Sequence, residues 1–130
     1  MSGYRVWIPG PLPGMNEIIK AAKGCNGKGL GYSAMKKRWT GDIALRIRAA
    51  RVPPMQRAHV RFDWVSVDRC RDPDNIEAAQ KFAWDALKHK VAKVLTNDGW
   101  KQHGGSEHHH ELGAKAGVWL TVTEVEQPTP

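Results

Sequence analysis

A single α+β domain, with a short mixed β-sheet packed against two main helices, is the fold class that three observations predict. The elements alternate strand, helix, strand, helix, strand along 130 residues. That length suits one core of ordinary size. Neither an internal repeat nor a linker-like stretch divides the chain, so residues 1–130 read as one unit.

Each element has its own signal. Residues 4–8, "YRVWI", have the β-branched and aromatic content of a strand, and "PGPLPG" stops it. From Met15 to Tyr32 the chain is rich in Gly, Lys and Asn, which predicts a mobile basic loop at about 20–32 carrying Lys20, Lys23 and Lys28. Ser33 is the expected N-cap of a helix running to about Arg51, which "VPP" ends. Met35, Trp39, Ile43 and Ile47 give that helix an apolar stripe, with Lys36, Lys37, Arg38, Arg46 and Arg48 mostly off it. Gly41 weakens it by about 1 kcal/mol.

"HVRFDWVSV" at 59–67 alternates, with Val60, Phe62 and Trp64 on one side and Val65 and Val67 on the other. That is the pattern of a central strand or one buried on both faces. A second helix is expected from about Asn75 to Ala92. "GVWLTVTEV" at 117–125 reads as a last strand, and "EQPTP" as a frayed tail.

The net charge of +7 and pI near 9.7 make a polyanion such as nucleic acid the first partner to consider. No apolar run approaches the roughly 18 residues of a membrane span, and the N-terminus lacks a signal-peptide layout. Cys25 and Cys70 are isolated and read as free thiols. A cytoplasmic protein is the expectation.

Against this positive background, "RCRDPDN" at 69–75 concentrates two carboxylates and an amide. With Pro73 holding the backbone extended, Asp72 and Asp74 would face a common point, and Asp74 or Asn75 would cap the second helix. Two carboxylates together repel unless a cation lies between them, and a hard ion such as Mg²⁺ suits oxygen ligands. Asp98, in "LTNDGW", is a third candidate. A calcium-binding loop does not fit, because Ile76 and Glu77 stand where an oxygen ligand and a glycine are needed.

Taken alone, "DPDN" reads first as a capped strand-to-helix turn. Its company favours a site: Arg69 and Arg71 precede it, and Lys81 follows about two helical turns after Asp74, where it could neutralise a phosphate or leaving oxygen. Alternatively Lys81 pairs with Asp85 on the surface.

In "SEHHHEL" at 106–112, a strand would put His108 and His110 on one face and His109 on the other. Adventitious Ni²⁺ or Zn²⁺ binding is the reading, since the surrounding pattern of a histidine nuclease is missing. His59, His89 and His103 read as structural or surface residues. Trp7, Trp39, Trp64 and Trp119 fit core positions, while Trp84 and Trp100 pack or stack on exposed bases.

"RDPDN" at 71–75, "KFAWDAL" at 81–87 and "LTNDGWK" at 95–101 resemble the RusA family of Holliday-junction resolvases, with weaker support from "PLPGMNEII" and "VWLTVTEVE". The resemblance runs in order along nearly the whole chain, but its specific part is about a quarter of it. It implies Mg²⁺-dependent phosphodiester hydrolysis (Mn²⁺ substituting) that leaves a 3′-hydroxyl and a 5′-phosphate. Asp72, Asp74 and Asp98 would be the metal carboxylates and Lys81 the catalytic lysine.

The resemblance further implies a homodimer cutting a four-way DNA junction symmetrically, of bacterial or phage origin. Arg69, Arg71, Lys20, Lys23, Lys28, Lys36, Lys37 and Arg38 would contact phosphates. Two departures stand out. "IEAAQ" separates Asn75 from Lys81, shifting the ammonium about 4.5 Å along a helix axis relative to the family spacing. Asn97 also replaces the first acid of the family's paired step. The alternative is a branched-DNA-binding protein whose site has decayed or that is not an enzyme.

Overall fold

Alternation along Ala58–Ser66 buries Val60, Phe62 and Trp64 and turns Arg61 and Asp63 to the opposite face. The computed structural model describes residues 3–23, 30–97 and 99–126. In chain order the elements are β1 (Tyr4–Pro9), α1 (Met15–Ala22), α2 (Leu30–Ala49), β2 (Ala58–Ser66), α3 (Pro73–Glu77), α4 (Gln80–Leu87), β3 (His103–Leu112) and β4 (Gly117–Glu124). The sheet order is β1-β4-β2-β3, with β2 and β3 parallel and the other pairs antiparallel. The fold is therefore α+β with a mixed sheet, and the expected central strand is central.

One sheet face forms the core. Val6 and Ile8 of β1, Val118, Leu120 and Val122 of β4, and the inward residues of β2 meet Ile43, Ala44 and Ile47 of α2 and Phe82, Ala83 and Leu87 of α4. Met35 and Trp39 of the expected stripe pack at its margin. Trp7 and Trp119 do not enter this core. They pair across β1 and β4 on the opposite face, ring centroids 5.1 Å apart, with the Arg5 guanidinium 4.2 Å from the Trp119 ring.

Several local expectations are corrected. Met15–Ala22 forms a helix where none is expected, because the glycines that break helices begin only after it. Ser33 lies inside α2, which starts at Leu30, so it is no N-cap. Both helices run into the interval expected to be a mobile loop. Lys28 and Cys25 lie outside the described residues, as does most of the expected tail.

The second helix is two short ones joined by a turn at Ala78 and Ala79. There the Ala79 N–H reaches the Ile76 carbonyl at 3.3 Å and the Phe82 N–H reaches the Ala79 carbonyl at 3.0 Å, a tighter three-residue step than the α-helical one. The break lets Ile76 and Ala79 bury while every residue from Phe82 to Leu87 is also buried. Nor does Asn75 cap its own helix. Asp72 holds the N-cap position with Pro73 as the first helical residue, and Asn75 Oδ1 accepts the Asn16 N–H of α1 at 3.0 Å.

The strand that the sequence leaves unassigned is β3. Its inward residues pack on β2 and α4. Trp84 Nε1 donates to Ser106 Oγ at 3.0 Å, and the Trp84 ring stacks on His103 with centroids 3.8 Å apart. His108 stacks on Phe62 and accepts a 3.0 Å hydrogen bond at Nδ1 from Trp64 Nε1.

Burial pulls the His108 pKa down, with smaller opposing and reinforcing effects from Glu77, His110 and His109. The unfolded chain thus takes the proton first. The stabilisation is whole above the unfolded value, about 6.5, and is lost as pH falls through the folded one. Denaturant melts at about pH 7 and about pH 5 should show a stability loss on acidification that His108→Leu reduces. An unchanged loss would separate His108 from acid sensitivity.

Candidate functional site

The end of β2 delivers the chain into the turn that carries the clustered charges. Asp68 Oδ1 accepts the Cys70 N–H at 2.9 Å and closes that turn. The same bond holds the Asp68 carboxyl below its ordinary pKa, and the neighbouring carboxylate pushes the Cys70 thiol up. Next, Arg71 turns inward. Its Nη2 donates to the Leu12 carbonyl at 3.0 Å and lies 3.3 Å from Glu17 Oε1. Gly14 is small because of this arrangement: a Cβ there would overlap the Arg71 guanidinium and come 2.8 Å from Asn75 Nδ2. Arg71 thus ties the β2–α3 turn to the β1–α1 segment.

Asp72 follows with extended backbone, φ −71° and ψ 148°, and an exposed side chain that makes no capping hydrogen bond. Asp74 is also exposed, its Oδ1 accepting the Asn75 N–H at 3.0 Å. The extended step expected across Pro73 is absent, since α3 begins at that proline, whose fixed φ suits the first helical position. Asp74 therefore sits in the first turn of a helix, one residue past the proline. A cleft of about 380 Å³ opens beside this turn, lined by Ser66, Asp68, Arg69, Arg71, Asp72, Pro73, Ile76, His110, Glu111 and Leu112. Asp74 is not among its lining residues. A neighbouring cleft of about 500 Å³ shares Ser66, Asp68, Arg71 and Ile76 and is walled by Leu12, Trp64 and Val67.

The remaining candidates separate into those left available and those already engaged. Lys81 is exposed at the start of α4. The turn between α3 and α4 breaks the helical phase that would have returned it to the Asp74 face. It does not pair with Asp85. That buried carboxylate instead has Lys36 Nζ 3.5 Å from Oδ2 and Lys88 Nζ 3.7 Å from Oδ1. The Lys36 contact is an electrostatic approach rather than a hydrogen bond, for Oδ2 has no hydrogen-bond partner among the described residues. Lys36 is accordingly held against the protein, whereas Lys20, Lys23, Lys37, Arg38 and Arg69 are exposed. Asp98 lies outside the described residues.

Trp84 is a packing residue. Trp100, in the "LTNDGWK" stretch, stands 96% exposed, so packing does not explain it.

No protein-family model matches the chain, and no curated protein matches it in sequence.

Asp72 and Asp74 are two solvent-facing carboxylates on one turn, neither in an ion pair among the described residues, and both are left available to a hard cation such as Mg²⁺, but the extended step that would have faced them to one point is absent. That ion commonly takes one or two protein carboxylates and keeps water in its other positions. Among the described residues no group of three or more His, Cys, Asp or Glu is gathered to hold a metal ion.

Two residues at this cleft, His110 and Glu77, have no role in the site that the sequence predicts. His110 lines the cleft beside Asp72, and Glu77 Oε2 meets its Nε2 at 2.6 Å. The usable signal was the His108/His110 parity, which acquires meaning only once residues 103–112 are recognised as a strand.

Proposed function

We propose that this protein is a divalent-metal-dependent endonuclease that resolves four-way DNA junctions. The observation carrying this reading is Asp72, exposed and without an ion-pair partner among the described residues, at a cleft it shares with Arg69 in a chain of net charge +7. The resemblance of "RDPDN", "KFAWDAL" and "LTNDGWK" to the RusA family supplies the substrate class.

In this reading Asp72 and Asp74 hold the cation, with Asp98 as a third ligand. The cation supplies charge stabilisation at the phosphate and a more acidic water. Arg69 and the exposed Lys20, Lys23, Lys37 and Arg38 attract the DNA backbone, and Lys81 offsets charge on the leaving oxygen. Two copies acting on a two-fold substrate would deliver symmetric cuts. Among the described residues no helix is long and apolar enough to cross a membrane, and a bacterial or phage protein working beside cytoplasmic DNA is the setting we infer.

Asn97 and the break between α3 and α4 favour a second reading, a branched-DNA-binding protein without cleavage. One experiment separates the two. A synthetic four-way junction is incubated with the protein, with and without Mg²⁺, beside linear duplex of the same sequence. The proposal expects paired nicks that need the metal and a marked preference for the junction. Binding without cutting under any divalent metal would leave the second reading in place, and equal cutting of linear duplex would reject junction selectivity.

A further inference from the structure

We propose that His110, oriented by Glu77, is a catalytic base of the Asp72 cleft, taking the proton of the attacking water. This rests on the nuclease reading above. His110 is held on a strand rather than a loop. In the parallel pairing it stands opposite Trp64, two residues after His108, which is stacked on Phe62 and hydrogen-bonded to Trp64. Strand alternation then turns His110 to the same sheet face as His108, toward α3. There Glu77 meets it at 2.6 Å, three residues after Asp74 on the same short helix.

The two side chains are 27% and 30% exposed, so the pair is neither sealed from water nor free in it. An ionised Glu77 can only accept, which puts the proton on Nε2 and leaves the lone pair of a neutral imidazole on Nδ1. Among the described residues Nδ1 has no hydrogen-bond partner. A histidine whose far nitrogen is fixed by a carboxylate is the arrangement that keeps a base in its reactive tautomer.

The step balances. An oxygen lone pair of water forms the new P–O bond, the P–O3′ bond breaks with its pair going to the 3′ oxygen, and the water proton passes to Nδ1. That proton then leaves for the 3′ oxygen or solvent, so His110 ends as it began and one water is consumed. His109 provides an internal control. It points to the opposite sheet face, where its Nε2 meets Glu107 at 2.8 Å.

The test is single-turnover cleavage of a four-way junction with Mg²⁺ by wild type, His110→Ala, His110→Gln, Glu77→Gln and His109→Ala, each with and without added imidazole. Junction affinity and thermal melting are measured in parallel. His110→Ala should lose about 100-fold or more in rate at unchanged affinity, with imidazole restoring part of it. Glu77→Gln should lose about 10-fold, and His109→Ala should cut as wild type does.

A wild-type rate in His110→Ala overturns the inference and leaves the nuclease reading standing. So does a loss that imidazole does not relieve, which would mark a structural role. If His110→Ala fails to fold, a wild-type rate in the better-matched His110→Gln overturns it equally. A wild type that cuts no junction under any divalent metal removes both.

Discussion

Asp72→Asn is expected to leave the fold and junction binding intact while lowering Mg²⁺-dependent cleavage by about 1,000-fold, the equivalent of several kcal/mol of charge stabilisation at the phosphate. Its side chain is exposed and makes no capping hydrogen bond, so its replacement should change stability by no more than about 0.5 kcal/mol. On the nuclease reading, removing a negative charge from the DNA-facing surface should tighten binding rather than weaken it. The measurement is single-turnover cleavage set beside junction affinity without added metal. Asp74→Asn should follow the same pattern if the two carboxylates share a cation. A wild-type rate in Asp72→Asn would take this carboxylate out of the chemistry.

The second large effect concerns stability. Arg71→Leu should cost about 2–3 kcal/mol, because it deletes a charge-assisted hydrogen bond to the Leu12 carbonyl and strands that acceptor. The Glu17 partner adds little, since its side chain is 58% exposed. In a domain of this size the melting temperature should fall by roughly 10 °C. Arg69→Ala should do the reverse, leaving the melt unchanged while weakening DNA binding and reducing the salt slope by about one. The comparison is decisive because the family resemblance implies phosphate contacts for both arginines. A stable Arg71→Leu protein with a reduced salt slope would restore Arg71 to the DNA surface.

The two arginines illustrate why part of the site was legible and part was not. Strands β1, β2 and β4 could be read because β-branched and aromatic residues alternate there with polar ones, and an exposed acid pair in a basic chain announces itself by composition. What escaped depended on tertiary partners. Arg71 differs from Arg69 only through Leu12 and Glu17, remote in sequence. Asn75 looks like a local cap but serves α1. The α3–α4 break follows from burial on every side of α4, which helix propensity alone does not foresee. β3 hid because its inward residues are histidine, serine and glycine rather than valine or leucine. They satisfy the core edge through ring stacking and hydrogen bonds to Trp64 and Trp84, which a hydrophobicity pattern does not register.

That composition has a consequence for how β3 finds its place. In most strands a one-residue slip is punished at once, because it drives apolar side chains into water. Here a slip in one direction would put His109 opposite Trp64 where His110 belongs, and it would at the same time put Glu107 opposite Phe62 where His108 stacks. The alignment is fixed upstream as well. Gly105 has a left-handed φ of 111°, which strongly favours glycine, the register shift lies between Ala58 and Val60, and Ser106 is bonded to Trp84. Those three features act as a vernier, so the histidine that reaches the Asp72 cleft is chosen by residues that never touch it.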